Sequence, residues 1–244
     1  MRGPISTLLF DLGGTLVTMS SAYRGDYWKR AVIRTILLLK GNGYNITPED
    51  FEKEFMEIRN AYVEFERKTC IDVEVRYQLS AALNRLGVPA QPGDKIITET
   101  LHTIFQEVLE ESRLYPDAIP TIKQLRQKYK VGLVTNNSSS DQVWWIIKKF
   151  KMKSLFQIIL ISADIGLRKP HLGIFTLALK QIHSKPSQTV YIGDSEFADI
   201  IGAKNAGMKT ILIKRDLQPE LRSTPDAIAE ELQQIPLIID QWQQ

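Results

Sequence analysis

Cysteine is nearly missing from this chain of 244 residues: Cys70 stands alone. A single thiol closes no disulfide within the chain, which fits a reducing compartment, and a cytoplasmic protein is the expectation. Histidine is scarce as well. His102, His171 and His183 are the only three, and neither they nor Cys70 fall at the short spacings of a zinc site, so zinc is not expected. Nowhere do about eighteen apolar residues run together, the length a membrane-crossing helix needs. The apolar start that ends at Phe10 is broken by Asp11, Gly13 and Gly14 before a signal-peptide core is complete, so no membrane partner is expected. Basic clusters with interleaved aromatics are lacking too. The formal net charge of +3 is spread along the chain, and nucleic acid is not an expected partner.

What is there is enough apolar residue for a sizeable core, 43% of the chain. Short apolar runs occur at Thr7–Phe10, Val131–Val134, Ile158–Ile161, Val190–Ile192 and Thr210–Ile213. None alternates with polar residues, so each reads as a strand buried on both faces, as in a parallel sheet covered by helices. Segments of helical period lie between them: Ile119–Tyr129, Asp141–Phe150, Gly173–Ile182 and Phe197–Ala206. Strand and helix in alternation predict an α/β fold with a doubly wound parallel sheet. The stretch from residue 20 to residue 113 differs. It holds the amphipathic segments Tyr27–Lys40, Pro48–Thr69, Val73–Leu86 and Gly93–Glu111, with Asn42-Gly43 and Gly87-Val88-Pro89 as breakers. It reads as a helical bundle inserted after the first strand, which divides the chain into a core of residues 1–19 and 114–244 and an insert of residues 20–113.

Three of the buried runs stop at polar residues: Asp11, Thr135-Asn136 and Gly193-Asp194. Strand carboxyl ends line the ligand crevice of open α/β sheets, so two carboxylates and a hydroxyl are expected at one edge. Any one of them alone is explained as a cap of the following helix. Two like charges in a crevice repel unless something neutralises them. Asp11 and Asp194 are hard oxygen donors, suited to Mg2+. Lys169 precedes a helix with Pro170 expected in its first turn, where the helix dipole favours anions, so its ammonium is expected to serve a bound anion.

These residues resemble the four ordered motifs of the haloacid dehalogenase superfamily: Asp11-Leu12-Gly13-Gly14-Thr15, Thr135-Asn136, Lys169-Pro170, and Gly193-Asp194-Ser195-Glu196-Phe197-Ala198-Asp199. The resemblance runs over essentially the whole chain, and it identifies the insert with that family's helical cap domain on a Rossmann-like core. It implies a hydrolase, in the first place a phosphatase of a small phosphorylated substrate. Asp11 attacks the phosphorus and forms an aspartyl-phosphate that water hydrolyses. Mg2+ is then held by Asp11, the backbone carbonyl of Gly13 and Asp194, with Asp199 ligating it or orienting its waters. Thr135 and Lys169 hold phosphoryl oxygens, Lys169 also restrains Asp11, and Asn136 and the amides of the Gly13–Thr15 turn add donors. Tyr23, Arg24 and Tyr27, where the cap begins, are candidates to face the substrate, although aromatics at helical spacing more often pack in a core.

One position departs from the pattern. Phosphatases of this family carry a second aspartate two residues after the nucleophile, as acid and base; here that residue is Gly13. A positioned acid/base is worth about 10²–10⁴-fold. A slow phosphatase is one reading. A carbon–phosphorus hydrolase using a cap lysine as Schiff base is another, with Lys29, Lys40, Lys53 and Lys68 available. Dehalogenation also dispenses with that aspartate, but it needs no divalent cation, whereas Asp194 and Asp199 are both present. A non-catalytic binder of a phosphorylated ligand is the remaining reading, and a plain binder requires no nucleophile.

Overall fold

The structure is a computed structural model that describes residues 3–18, 25–215 and 223–243. The chain divides into two compact units, one made of Met1–Thr18, Arg113–Asn137 and Ile147–Gln244, the other of Met19–Ser112 with Ser138–Ile146.

In the first unit the apolar runs become β1 (Thr7–Phe10), β4 (Lys130–Thr135), β5 (Ile158–Ile161), β6 (Thr189–Gly193) and β7 (Lys209–Ile213). A further strand, β8 (Ala227–Ala229), completes a six-stranded parallel sheet in the order β5-β4-β1-β6-β7-β8. The expected doubly wound α/β core is therefore what the chain builds. β1 lies in the middle, with Phe10 level with Leu133 of β4 and with Ile192 of β6. The strands that end in Asp11, Thr135 and Gly193 are thus direct neighbours, and their polar ends share one edge. Leu9 and Tyr191 turn to one face, where Ile174, Phe175, Ala178 and Ala203 cover them. Leu8 and Phe10 turn to the other, as alternation along a strand requires. Two short strands, β2 (Val17–Thr18) and β3 (Arg113–Leu114), pair antiparallel beside the sheet, Val17 with Leu114 and Thr18 with Arg113.

The second unit contains α1 (Gly25–Gly41), α2 (Pro48–Thr69), α3 (Val75–Arg85) and α4 (Lys95–Glu111). α2 starts where Thr47 accepts a hydrogen bond from the Asp50 amide, with Pro48 in the first turn, and it ends at Cys70, whose amide returns to the Glu66 carbonyl. α1 packs along α4 and α2 along α3. Their shared core is aromatic: Phe55 lies between Trp28 (5.6 Å between centroids) and Phe51 (5.8 Å), all three buried. Among the described residues no helix is long and apolar enough to cross a membrane.

The remaining helices are α5 (Ala118–Leu125), α6 (Ser140–Lys149), α7 (Ser162–Ile165), α8 (Leu172–Gln181), α9 (Gly202–Asn205) and α10 (Ile235–Gln243). Two expectations are corrected here. α8 begins at Leu172, because the His171 side chain accepts the Gly173 amide (3.0 Å) and caps it, so Pro170 precedes the helix instead of sitting in its first turn. The segment expected as one helix over Phe197–Ala206 is a π-helical turn, Glu196–Ile201, that runs into the short α9. That wider turn folds Asp199 back onto its own start, where an oxygen of Asp199 accepts the Ser195 amide at 3.0 Å.

Candidate active site

The site is assembled at the carboxyl ends of β1, β4 and β6. Asp11 follows β1 directly, and its amide donates to the Ile192 carbonyl at 2.9 Å, which ties the residue to β6 before the chain turns. The turn is tight: the amides of Leu16 and Val17 both return to the Leu12 carbonyl, at 2.8 and 3.0 Å. Gly14 takes a φ of 76° in it, and a Cβ there would run into the Asp194 carboxylate, so the close approach of the two loops needs glycine. Gly193 has the same reason on the other side, since a Cβ would strike the carboxylate of Asp199.

Lys169 is buried at the centre. Its Nζ donates to Asp11 Oδ1 at 2.7 Å, to Asp199 Oδ1 at 2.6 Å and to the Tyr191 hydroxyl at 2.8 Å. An ammonium has three hydrogens, and all three are committed. The Tyr191 hydroxyl in turn donates to the Val134 carbonyl at 2.8 Å, and its ring lies edge-on to Phe175. The loop carrying Lys169 is held by Asn136: its Nδ2 donates to the Lys169 carbonyl (2.9 Å) and its Oδ1 accepts the Lys169 amide (2.8 Å). Asn136 keeps one N–H to spare. Thr135 ends β4, buried.

Carboxylates outnumber cations here. Asp11, Asp194 and Asp199 each offer an oxygen within 4.8 Å of the others'. The Thr15 hydroxyl lies between two of them, 3.5 Å from Asp11 Oδ2 and 3.4 Å from Asp194 Oδ1, at the outer limit of hydrogen bonding. Burial pushes the Asp11 carboxyl up to about 6, which the Lys169 ammonium does not offset while Asp199 adds repulsion. Burial and the neighbouring charges of Asp11 and Asp199 lift Asp194 to about 7. For Lys169, burial alone would favour loss of its proton, but Asp11 and Asp199 reverse the sign and hold it well above the ordinary lysine value. One ammonium serves three acids, and the deficit falls on Asp11 and Asp194. Hard oxygen donors left short of positive charge fit a divalent cation such as Mg2+.

The structure thus brings Asp11, Thr15, Thr135, Asn136, Lys169, Asp194 and Asp199 to one edge, together with Gly13 on the turn. Tyr27 does not join them; it is buried in the helical unit's core. Tyr23 and Arg24 lie outside the described residues. Trp145 packs edge-on against His102 at 4.7 Å between centroids. Lys29, Lys40, Lys53 and Lys68 are all exposed, and Lys29 and Lys68 face Asp26 and Glu64 as surface ion pairs. Solvated lysines of this kind lack the desolvation that gives a Schiff-base amine its reactivity. Tyr191 was missed by sequence reasoning; its hydroxyl sits inside an apolar run, and a polar group in a fully buried strand was the available signal.

Fold and site together describe an α/β core with an acidic cluster around a buried lysine at the carboxyl edge of its sheet. Residues 49–213 match the family described as haloacid dehalogenase-like hydrolase, and the chain belongs to that family. A glyceraldehyde 3-phosphate phosphatase of Methanopyrus kandleri is 29% identical over 220 residues, 88% of each chain. A ribulose-1,5-bisphosphate 5-phosphatase of Halopiger xanaduensis is 26% identical over 229 residues, 93% of this chain and 92% of its own. Among solved structures, a 2-haloacid dehalogenase from Pseudomonas syringae superposes with a TM-score of 0.77 at 23% identity, covering 98% of this chain and 99% of its own.

Proposed function

We propose that this hydrolase is a Mg2+-dependent phosphatase that takes a phosphoryl group from a small phosphorylated metabolite onto Asp11. The names of its relatives, phosphatases of a triose phosphate and of a pentose bisphosphate, support the substrate class. The observation that carries the reading is the charge count. Three carboxylates around one ammonium leave a formal charge of −2 (three negative, one positive) in a buried edge. A phosphate dianion does not enter such a place unless positive charge comes with it.

In this reading Asp11, the carbonyl of Gly13 and Asp194 hold the ion. Asp199 accepts a hydrogen bond on each oxygen already, which suits it to orienting the ion's waters. The bound ion supplies charge that weakens the repulsion between carboxylate and phosphate and steadies the charge spread over the transferring group. Lys169 keeps Asp11 aimed. With its three hydrogens committed, it acts on the phosphoryl group through its charge, and direct donors come instead from Thr135, the spare N–H of Asn136 and the amides of Gly13 and Thr15 in the turn. Asp11 attacks in line, the leaving group departs, and water hydrolyses the aspartyl-phosphate. The helical segment of residues 20–113 is, in this reading, the cap domain that sets which metabolite is taken, and the lone Cys70 accords with a cytoplasmic enzyme.

p-Nitrophenyl phosphate turnover with Mg2+, with a chelator and in Asp11→Asn is the test. The reading expects activity only in the first case. Turnover that survives the chelator or the substitution sinks it.

A further inference from the structure

We infer that this chain selects activated phosphates (acyl phosphates, phosphoanhydrides and aryl phosphates), whose leaving group departs as a stable anion without taking up a proton. The inference rests on the aspartyl-phosphate reading and sets this chain apart from the relatives named for sugar phosphates, whose leaving oxygen is an alkoxide.

The ground for it is an inventory of protons around Asp11. Phosphoryl transfer passes through a loose transition state in which the bond to the leaving oxygen is largely broken, so that oxygen gathers negative charge. An alkoxide needs a proton at that moment; a carboxylate, a phosphate or a phenolate does not. Lys169 has no hydrogen to give, because Asp11, Asp199 and Tyr191 hold all three within 2.8 Å. The Tyr191 hydroxyl is fully buried and donates to the Val134 carbonyl. Asp199 is buried, with one oxygen taken by Lys169 and the other by the Ser195 amide. The Thr15 hydroxyl, an aliphatic alcohol and no acid, lies between two carboxylates. Glu196 turns Oε2 to the amide and hydroxyl of Ser223. In the phosphatase reading Asp11 is the nucleophile, and Asp194 would hold the cation. Residue 13, on the same turn and two places beyond the nucleophile, carries no side chain at all. Among the described residues of the sheet unit, then, no uncommitted acid stands beside Asp11.

The chemistry balances without one. An Asp11 oxygen forms a bond to phosphorus, the bond from phosphorus to the leaving oxygen breaks, and the leaving group takes that electron pair as an anion. The aspartyl-phosphate so formed is itself an acyl phosphate. Water attacks its phosphorus, the bond from phosphorus to the Asp11 oxygen breaks, both of the water's protons leave on the inorganic phosphate as H2PO4⁻, and the Asp11 carboxylate is restored. Activated substrates therefore share the reactivity of the enzyme's own intermediate.

The experiment measures kcat/KM of the full chain with Mg2+ for aryl phosphates from 2,4-dinitrophenyl to phenyl phosphate, with acetyl phosphate and glycerol 3-phosphate beside them. Expected is a fall of roughly tenfold for each unit of leaving-group pKa, as for a leaving oxygen without an acid to assist it. At that slope acetyl phosphate exceeds glycerol 3-phosphate by far more than the roughly 10²–10⁴-fold that a positioned acid supplies. Gly13→Asp, if it folds, flattens the slope by raising the poor substrates selectively; the wild-type slope decides the matter without it. A flat dependence, or glycerol 3-phosphate within tenfold of acetyl phosphate, overturns the inference and leaves the phosphatase reading standing. Inactivity toward the whole series, or turnover that persists in Asp11→Asn, overturns the phosphatase reading and the inference with it.

Discussion

Lowering the pH from 8 to 5.5 will weaken Mg2+ binding about a hundredfold, a figure that follows from two buried acids. The proposed ion would need Asp11 and Asp194 as carboxylates, and their pKa values are raised to about 6 and about 7. At pH 8 both are mostly ionised. At pH 5.5 about a quarter of Asp11 and about 3% of Asp194 remain so, and the product of those fractions sets the loss of affinity. Proton release on binding, counted by titration calorimetry in two buffers of different ionisation enthalpy, is close to zero at pH 8 and approaches two at pH 5.5.

The stability of the metal-free protein runs the opposite way. Both acids titrate above their ordinary value of 3.8, so their contribution is fully present below about pH 4 and is lost as the pH climbs through 6 and 7. For Asp11 alone the shift from 3.8 to about 6 corresponds to about 3 kcal/mol. The metal-free chain should therefore melt at a lower temperature at pH 8 than these groups allow at pH 5.5, and Mg2+ should raise the melting temperature strongly at pH 8 and hardly at pH 5.5. A Kd for Mg2+ that stays within threefold from pH 5.5 to 8 would refute the reasoning.

Gly14→Ala, which forces a Cβ toward Asp194 from a left-handed backbone, should cost about 1–2 kcal/mol in thermal unfolding and weaken Mg2+ binding more than tenfold. Calorimetric titration checks the second effect; unchanged affinity means the loops part freely. Tyr191→Phe keeps the ring against Phe175 but strips Lys169 of one acceptor and the Val134 carbonyl of its donor. A loss of about 1–3 kcal/mol in urea denaturation is expected, as for buried groups left unpaired. Phe55→Ala, in the helical unit, removes the ring between Trp28 and Phe51 and should cost about 3–5 kcal/mol, followed by the red shift of tryptophan emission during unfolding.

Much of this architecture was legible in the residues because burial on both faces leaves a plain mark. The runs at Thr7–Phe10 and Ile158–Ile161 coincide with β1 and β5, and α2 has the bounds of the amphipathic segment Pro48–Thr69. What escaped has equally physical reasons. β2 and β3 are two residues each, and β8 is three with Ile228 half exposed, so none carries a periodic signal. The π-turn depends on Asp199 returning to the Ser195 amide, a contact between a side chain and a backbone group that hydrophobic period does not encode. Of the site, Asp11, Thr135 and Asp194 were visible because each follows a buried run, and Lys169 because it stands at a helix entrance. The commitment of Lys169 was not, since its three acceptors come from the end of β1, the middle of β6 and the π-turn, and only folding brings them together.

That commitment also separates the chemistry from the fold. The likeness to a 2-haloacid dehalogenase structure is a likeness of fold, and the same sheet hosts more than one reaction. A 2-haloacid arrives with a carboxylate of its own. In an edge of formal charge −2 it would meet repulsion from Asp194 and Asp199 that Lys169, its hydrogens already spent, does little to relieve. A halide-displacing site gains nothing from those two acids. A phosphoryl-transferring site does, because the same acids that repel a bare anion are what hold a divalent cation, and the cation then admits a phosphate. The surplus of carboxylate is a liability to folding, seen in the raised titration of Asp11 and Asp194, and the proposed ion would relieve it.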